Sequence, residues 1–334
     1  MAQLGVTLPL GGLALHQHRG AIEQLRDAGI SEVSTGESNG LDGLSPLMLA
    51  SAWCPDLTLS ASVLSAFTRG PSILAGSAAA LAEAAPGRAR FGIGAGSDRI
   101  VTDWNGIPFT RPYSRVANVL RVLRATLAGE RASSVPEAVA ALGVRDFRLA
   151  RVPEQPPALV VAALGPRMQR LAAAEADGVS LNFLSPSDIT TVREAAAAVP
   201  RSLADPLTVQ TRIFVVPARD EADPEAALVA RRLIAAYLTV PVYANFQRWL
   251  GRGEQLKDMQ TAWDGGDRAK AVELVPEAVV NDLFLIGPPA RCASRVREYV
   301  EAGTDIVTMN LLASSGPEEE VEFLCELARA AKVG

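Results

Sequence analysis

The sequence has few of the residues that build disulfide frameworks and metal centres. Its three cysteines, Cys54, Cys292 and Cys325, lie far apart and outside any Cys-x-x-Cys motif. An odd number of scattered cysteines predicts free thiols in a reducing compartment. The two histidines, His16 and His18, stand close together in one segment, which excludes a histidine-rich metal site. We therefore expect no metal ion.

Basic charge and long apolar runs are also scarce. The formal net charge is −5, and no basic stripe is visible, so the composition argues against nucleic-acid binding. No run approaches the roughly 18 uninterrupted apolar residues of a membrane span. The first residues lack the charged start and apolar centre of a secretory signal. We expect a cytoplasmic protein that binds neither nucleic acid nor membrane.

What the sequence does contain is a regular alternation of short apolar runs with longer segments rich in Ala, Leu, Arg and Glu. The predicted strands are 3–8, 31–35, 57–63, 89–95, 158–163, 178–183, 207–216 and 305–311. The predicted helices are near 17–28, 44–54, 71–84, 111–129, 166–176, 186–199, 223–238, 289–302 and 317–331. Such alternation indicates a parallel sheet, and 334 residues suit one α/β barrel.

Two segments interrupt this alternation, residues 130–157 and residues 239–287. The second is charged and mostly helical in pattern. Insertions at the C-terminal ends of barrel strands usually build the wall of an active site. Because the chain has no flexible Gly/Ser linker, we expect a single domain over residues 1–334, with both insertions at that face.

The segment FGIGAGSD, residues 91–98, carries three alternating glycines, Gly92, Gly94 and Gly96. A dinucleotide-binding turn needs G-x-G-x-x-G, an immediate helix and an acidic residue about 20 positions later. Here position 97 is serine and a loop follows, so both spacing and context fail. Since alternate strand residues share a face, the glycines leave room either for a flat ring system or for a neighbouring aromatic side chain.

Several motifs resemble the luciferase-like monooxygenase superfamily, and within it the oxidoreductases that use the deazaflavin coenzyme F420. The motifs are VSTGES (33–38), TLSASVLSAFTRGP (58–71), RARFGIGAGS (88–97), DWNGIPFTRPYSRVANVLRVLRATLAGE (103–130), FRLARVPE (147–154), VVAALGPRM (160–168), DGVSLNFLSP (177–186) and CASRVREYVEAGTDIV (292–307). The resemblance covers nearly the whole chain. It implies a (β/α)8 TIM barrel, a flavin-type cofactor at the C-terminal mouth and, commonly, a homodimer.

The resemblance also implies a cofactor site. Glu37 would accept a hydrogen bond from the deazaflavin ring, and a cis peptide bond between Ser62 and Val63 would back that ring. Exposed N–H groups at the start of the helix predicted at 166–176, beside Arg167, would bind the phosphate tail of the cofactor. The plain alternatives are a solvated carboxylate, a trans strand end and an ordinary Gly-Pro helix start. The full set of implied cofactor residues is Glu37, Ser62, Val63, Gly94, Ala95, Gly96, Gly165, Pro166, Arg167 and Met168.

The chain departs from the sugar-phosphate dehydrogenases of this group. They carry Glu and His where this sequence has Ser97 and Ser38. Sugar-phosphate oxidation is therefore in doubt, and no proton donor is assigned. The candidates for that role are His16, His18 and Asp98. The candidates for the substrate pocket, which suit a packed core equally well, are Trp104, Phe109, Asn182 and Phe183.

The expected function is hydride transfer between coenzyme F420 and a small organic substrate. The reaction would reduce an activated C=C, C=N or C=O bond, or run in reverse. One alternative is an FMN-dependent monooxygenase that activates oxygen, and another is a non-catalytic barrel that binds a cofactor. Arg167 and Arg170 favour the long acidic tail of the deazaflavin over the single phosphate of FMN.

Overall fold

The computed structural model describes residues 2–312 and 316–332. Within these ranges all strand pairings are parallel. The strands are β1 (Gln3–Thr7), β2 (Glu32–Thr35), β3 (Thr58–Ser65), β4 (Ala89–Gly94), β5 (Ala158–Ala162), β6 (Gly178–Asn182), β7 (Thr208–Pro217), β8 (Phe284–Gly287) and β9 (Ile306–Leu311).

Eight of these strands close into a barrel. Strands β1 to β6 pair in chain order, β6 pairs with β7, β7 with β9, and β9 returns to β1. The predicted (β/α)8 barrel is therefore confirmed, as are the eight predicted strand segments. The additional strand β8 was not predicted. It pairs with Phe214–Pro217 of β7, beyond the stretch that pairs with β6, so it extends one side of the barrel at the C-terminal end.

Helices connect the strands and cover the barrel. Several begin with proline, whose missing N–H costs nothing in a first turn and whose φ is already helical. The helices are α1 (His18–Asp27), α2 (Ser45–Trp53), α3 (Pro71–Ala84), α4 (Pro112–Leu127), α5 (Pro136–Leu142), α6 (Pro166–Glu175), α7 (Pro186–Ala197), α8 (Pro224–Tyr237), α9 (Pro241–Trp249), α10 (Lys257–Asp264), α11 (Arg268–Glu273), α12 (Glu277–Leu283), α13 (Pro289–Glu301) and α14 (Pro317–Ala331).

The two segments predicted as insertions hold extra elements. Residues 130–157 contain a single turn of 3-10 helix and α5, and residues 239–287 contain α9 to α12 and β8. The first insertion follows α4 and leads into β5, so it lies at the N-terminal end of the strands, and its expected place at the C-terminal face is wrong. The second lies between β7 and α13, on the C-terminal side. The longer insertion packs with α8 around its own apolar cluster, which includes Phe214, Ile234 and Met259. In the described ranges no single helix has the length and apolar character of a membrane span. Only α8 and α9, which meet at 105°, reach that threshold when counted together.

The lower part of the barrel interior is polar. Glu32 is fully buried and accepts hydrogen bonds from Arg90 Nη1 at 2.7 Å and from Gln210 Nε2 at 2.8 Å. Arg90 also donates to Gln3, and Gln210 also reaches Thr308. Burial raises the pKa of the Glu32 carboxyl to about 7, although the nearby Arg90 opposes the rise.

This carboxyl predicts a pH dependence of stability. The unfolded chain releases the Glu32 proton near pH 4.5, whereas the folded protein holds it until about pH 7. The free energy of unfolding should therefore fall by about 3 kcal/mol across that interval, and stay lower above it. In a Glu32→Gln variant this fall should be absent. Urea denaturation of both proteins across the interval measures the difference.

A Glu23→Gln variant is the matched control, because Glu23 pairs with Arg19 on the exposed face of α1. Its stability profile should run parallel to that of the unmodified protein. If the Glu32→Gln profile also runs parallel, the Glu32 carboxyl does not titrate as described.

Candidate active site

The C-terminal ends of the strands meet at one rim of the barrel, because all barrel strands run in the same direction. We call this rim and the interior directly below it the mouth. The segments after β2 (36–44), β3 (66–70) and β4 (95–111) contribute to it, together with the long insertion after β7. Most of the candidate residues lie in or beside these segments.

The peptide bond between Ser62 and Val63 on β3 is cis, as predicted. The carbonyl oxygen of Ser62 accepts a hydrogen bond from Arg212 Nη2 at 2.8 Å. The Ser62 hydroxyl lies 2.8 Å from that of Ser180 on β6, across the barrel interior. The Val63 side chain is half-buried. This segment of β3 therefore forms part of the mouth.

The glycines of β4 do not leave an open face. A Cβ atom on Gly92 would lie 2.6 Å from the carbonyl oxygen of Ala61 and 2.7 Å from Val63 Cγ1. A Cβ on Gly94 would lie 2.9 Å from Val63 Cγ2 and 3.1 Å from the Ala162 methyl group. The expected room beside Gly92 and Gly94 is therefore absent, because Val63 of the neighbouring strand β3 fills the space. Cofactor contacts from Gly94, and from Ala95 and Gly96 beyond the strand, stay predictions.

Glu37 is neither solvated nor free. Its carboxylate accepts hydrogen bonds from Arg69 Nε at 3.1 and 3.2 Å, from Arg69 Nη2, and from the Gly43 N–H at 3.1 Å. The Glu37 side chain is 17% exposed and that of Arg69 is 22% exposed. The hydrogen bond to Glu37 raises the pKa of Arg69. Glu37 thus joins the loops after β2 and β3, and its contact with a ring stays a prediction.

His18 is wrong as a proton-donor candidate. It is 2% exposed, its Nε2 accepts the Leu10 N–H at 2.9 Å, and its Nδ1 lies 3.0 Å from the Ala14 carbonyl oxygen. Both ring nitrogens are therefore occupied by the backbone of the loop after β1. His16 is exposed on the same loop. Asp98 is exposed too and accepts a hydrogen bond from the Thr102 hydroxyl at 2.7 Å. Roles for His16 and Asp98 stay predictions.

The segment Gly165–Met168 opens α6 as expected. Gly165 is the N-cap residue with φ 114°, and no atom lies within 4 Å of the place where its Cβ would be. Arg167 is exposed, and its guanidinium carbon lies 4.0 Å from the centre of the Tyr113 ring. An open helix start with a cation beside it suits a phosphate group. Binding of a phosphate tail there stays a prediction.

The pocket candidates divide into two kinds. Trp104 is 46% exposed, and Phe109 is half-buried against Phe67, with ring centres 5.0 Å apart. Asn182 is half-buried at the end of β6. Phe183, by contrast, is buried among aromatic rings, so its assignment to the pocket is wrong. Its φ of 54° is unusual for a bulky residue and turns the chain toward the insertion.

Arg212 is a residue of the mouth that was not predicted from the sequence. It is half-buried on β7, directly opposite Asn182 in the strand register, and its guanidinium reaches across to Ser62 on β3. A Cβ on Gly36 would lie 3.2 Å from Arg212 Nη2, so the loop after β2 also contacts it. Burial lowers the pKa of Arg212. The signal was present in LTVQTRIFVV, where Gln210 and Arg212 stand two apart and must share the interior face.

Tyr243, on α9, was also missed. Asn182 Nδ2 lies 3.5 Å from its hydroxyl oxygen, and its ring packs edge-on against Phe183 and Tyr237. Burial raises the pKa of the Tyr243 hydroxyl. Nothing in the local pattern of the insertion predicts that this tyrosine faces the strand pair that carries Arg212.

Fold and mouth together define a TIM-barrel enzyme. The family model for luciferase-like monooxygenases matches residues 1–305, and the chain belongs to that family. It is 26% identical over 291 residues to 5,10-methylenetetrahydromethanopterin reductase from Methanolobus tindarius, with 86% of each chain covered. The resemblance seen in the motifs is thereby confirmed.

Two solved structures share the fold. The coenzyme F420-dependent tetrahydromethanopterin reductase from Methanopyrus kandleri has a TM-score of 0.74 at 22% identity, with 98% of both chains covered. An F420-dependent secondary alcohol dehydrogenase, solved with an F420–acetone adduct, has a TM-score of 0.74 at 13% identity, with 99% of both chains covered. At these identities the comparison bears on the fold alone.

Proposed function

We propose that this protein is an oxidoreductase that uses coenzyme F420 to transfer a hydride to or from a small organic substrate. The observation that carries the proposal is a pair of buried hydroxyls at the mouth, Thr7 Oγ1 and Ser34 Oγ, which have no hydrogen-bond partner among the described residues. The F420-dependent reductase and the F420-dependent alcohol dehydrogenase that share this protein's fold support F420 as the cofactor.

The residues at the mouth fit a planar ring with polar edges. Thr7 Oγ1 and Ser34 Oγ lie opposite each other on β1 and β2, and both are buried without a hydrogen-bond partner among the described residues. Unpartnered buried hydroxyls are costly and are usually satisfied by a ligand or water. Carbonyl and N–H groups on a ring edge would satisfy them, while Val63 would contact the ring face.

In this proposal the residues of the chain bind the cofactor, orient its ring and shield the reacting carbon from water. Val63 and the β3 backbone hold the ring plane, the loop fixed by Glu37 and Arg69 borders it, and the start of α6 with Arg167 holds the acidic tail. When bound, the deazaflavin carries the hydride. The aromatic side chains of the insertion keep water away from the reacting carbon. The homodimer, the cytoplasmic location and the single domain over residues 1–334 stay predictions from the sequence.

Titration of the purified protein with F420 and with FMN in parallel tests the proposal. Tryptophan fluorescence reports binding, since Trp104 stands exposed after β4. We expect F420 to bind at least about tenfold more tightly than FMN, because charge-assisted contacts at α6 add to the tail's affinity. Equal or tighter binding of FMN would contradict the proposal and favour an oxygen-activating monooxygenase. Tight F420 binding without turnover on any acceptor would favour a non-catalytic barrel.

A pair of variants localises the tail. Arg167→Gln should weaken F420 binding by about tenfold, because it removes a cation beside the helix start. Arg268→Gln is the matched control, since Arg268 also covers an aromatic ring, Trp263 at 3.8 Å, but lies in the insertion at α11. If the two substitutions weaken F420 binding equally, the tail of F420 does not bind at the start of α6.

A further inference from the structure

The guanidinium of Arg212 is an interior cation without a paired carboxylate in the described part of the chain. Two other interior arginines have such partners: Arg90 lies 2.7 Å from Glu32, and Arg252 lies 2.7 Å from Asp188. The hydrogen bond that Arg212 makes goes to the neutral carbonyl of Ser62. Its remaining N–H groups have no hydrogen-bond partner among the described residues and can bind a ligand at the mouth.

An unpaired interior charge is costly, so its presence calls for a compensating ligand. Desolvation lowers the pKa of Arg212, but an arginine stays protonated in proteins. An oxygen that carries negative charge would recover the lost solvation and bond to the free N–H groups. The site therefore suits a carbonyl-derived oxygen, an enolate or an alkoxide.

A proton donor lies beside the same strand pair. Asn182 and Arg212 are register partners on β6 and β7, and Asn182 Nδ2 lies 3.5 Å from the Tyr243 hydroxyl. Phe183 and Tyr237 hold the Tyr243 ring edge-on, with ring centres 5.5 Å away in both cases. This places a hydroxyl with an apolar wall behind it beside Asn182, the register partner of Arg212.

We infer that Arg212 and Tyr243 form a binding site for the substrate oxygen, so that the preferred substrates are apolar ketones, aldehydes or α,β-unsaturated carbonyl compounds. The inference rests on the proposed function and narrows it from C=C, C=N and C=O bonds to carbonyl chemistry. Arg212 stabilises the charge that develops on oxygen, and Tyr243 supplies the proton that sequence analysis left unassigned.

The carbonyl carbon, or the β-carbon of an unsaturated carbonyl, gains a C–H bond from the hydride of the reduced deazaflavin. The π electron pair moves onto oxygen, where Arg212 bonds to it. The Tyr243 O–H bond then breaks, its proton joins the alkoxide oxygen or the enolate, and water returns a proton to the tyrosinate. Such transfers are downhill because an alkoxide or enolate is a far stronger base than a phenolate.

Binding of 4-nitrophenol tests the site without turnover, because its phenolate oxygen resembles an enolate oxygen and its visible absorbance reports its ionisation. We expect the unmodified protein to bind 4-nitrophenolate at least about tenfold more tightly than the neutral phenol, so that the pKa of the bound probe falls. Arg212→Met should abolish this preference, Arg212→Lys should retain part of it, and Tyr243→Phe should reduce it a few-fold.

Arg231→Met is the matched control, since Arg231 also donates to a backbone carbonyl, that of Val275, on the outer side of α8. Its preference should equal that of the unmodified protein. Circular dichroism shows whether each variant is folded. If the Arg212→Met protein is not folded, the Arg212→Lys protein is compared with the unmodified protein instead. No preference in the unmodified protein, or an equal preference in the Arg212→Met protein, would overturn the inference.

A second arm of the experiment separates the substrate oxygen from the cofactor ring. The same titrations are repeated with saturating F420. Simultaneous binding supports the substrate site, whereas competition would assign Arg212 to the cofactor ring and overturn the inference. If F420 does not bind but the Arg212-dependent preference for the phenolate persists, the proposed function fails while the oxygen site stands.

Discussion

Replacing Arg252 with methionine should lower the free energy of unfolding by about 3 to 5 kcal/mol, because it leaves a buried carboxylate without its cation. Arg252 and Asp188 are 5% and 6% exposed, and Arg252 Nη2 lies 2.7 Å from Asp188 Oδ2. The same carboxylate accepts the N–H of Ser185 at 2.7 Å and its hydroxyl at 2.8 Å. Asp188 thus caps the start of α7 through Ser185 and also binds Arg252 of the insertion.

The loss of the Arg252–Asp188 ion pair should also affect the mouth of the barrel. Gln247 donates to the carbonyl of Phe183 at 2.8 Å, and Arg252 Nη1 lies 3.3 Å from Gln247 Oε1. The ion pair therefore supports the backbone directly after Asn182, where β6 ends. We expect the Arg252→Met protein to lose ligand affinity at the mouth as well as stability.

Urea denaturation of the Arg252→Met protein measures the loss of stability, with Arg248→Met as the control. Arg248 is exposed on the same insertion and donates to Asn245, so its loss should cost about 0.5 kcal/mol or less. A double variant, Arg252→Met with Asp188→Leu, should recover part of the stability because it removes both charges. A single-variant cost as small as that of Arg248→Met would contradict the assignment.

The second large effect is expected at the glycines of β4. Gly92→Ala should cost about 3 kcal/mol or more, because its methyl group would lie 2.6 Å from the Ala61 carbonyl oxygen and 2.7 Å from Val63. The Ala61 carbonyl belongs to the backbone and cannot move aside as a flexible side chain can, so strand β3 must shift. Gly76→Ala is the control. Gly76 lies in α3 with nothing within 4 Å of its Cβ position, and this change should stabilise the protein by about 0.5 to 1 kcal/mol.

The neighbouring glycine allows a test by suppression. Gly94→Ala meets the methyl groups of Val63 at 2.9 Å and of Ala162 at 3.1 Å, so it should also be destabilising. Adding Val63→Ala removes the Cγ atoms and should restore part of the stability, in contrast to its effect in Gly92→Ala, where the carbonyl contact remains. Thermal denaturation of the single and double variants compares them. Strictly additive effects in both pairs would show that Val63 does not fill the space over the glycines.

Local pattern predicted much of this protein correctly. The alternation of apolar runs and helical segments predicted the barrel, because the pattern that indicates a strand or a helix extends over only about 5 to 15 neighbouring residues. The resemblance of the motif at 58–71 to its family implied the cis peptide bond between Ser62 and Val63. Strand β8 escaped prediction because four residues, Phe284–Gly287, are too short to show a period within a helical insertion.

The same local pattern misjudged the roles of single side chains. His18 resembled a free loop histidine, yet the loop after β1 folds back and uses both of its nitrogens. Phe183 resembled a pocket residue, yet the insertion buries it. The partners of Phe183 lie in the distant insertion, whereas those of His18 lie in the loop that directly precedes it.

The sequence by itself determined the class of fold and the family, since strand and helix signals and family motifs are written in neighbouring residues. Only the tertiary structure decided what stands at the mouth. Arg212 meets Ser62 across 150 positions of chain, and Tyr243 meets Asn182 across 61. The physical reason is that burial and hydrogen bonding are settled by closure of the barrel, which brings distant strands together, and no local period encodes which side chain then lacks a partner.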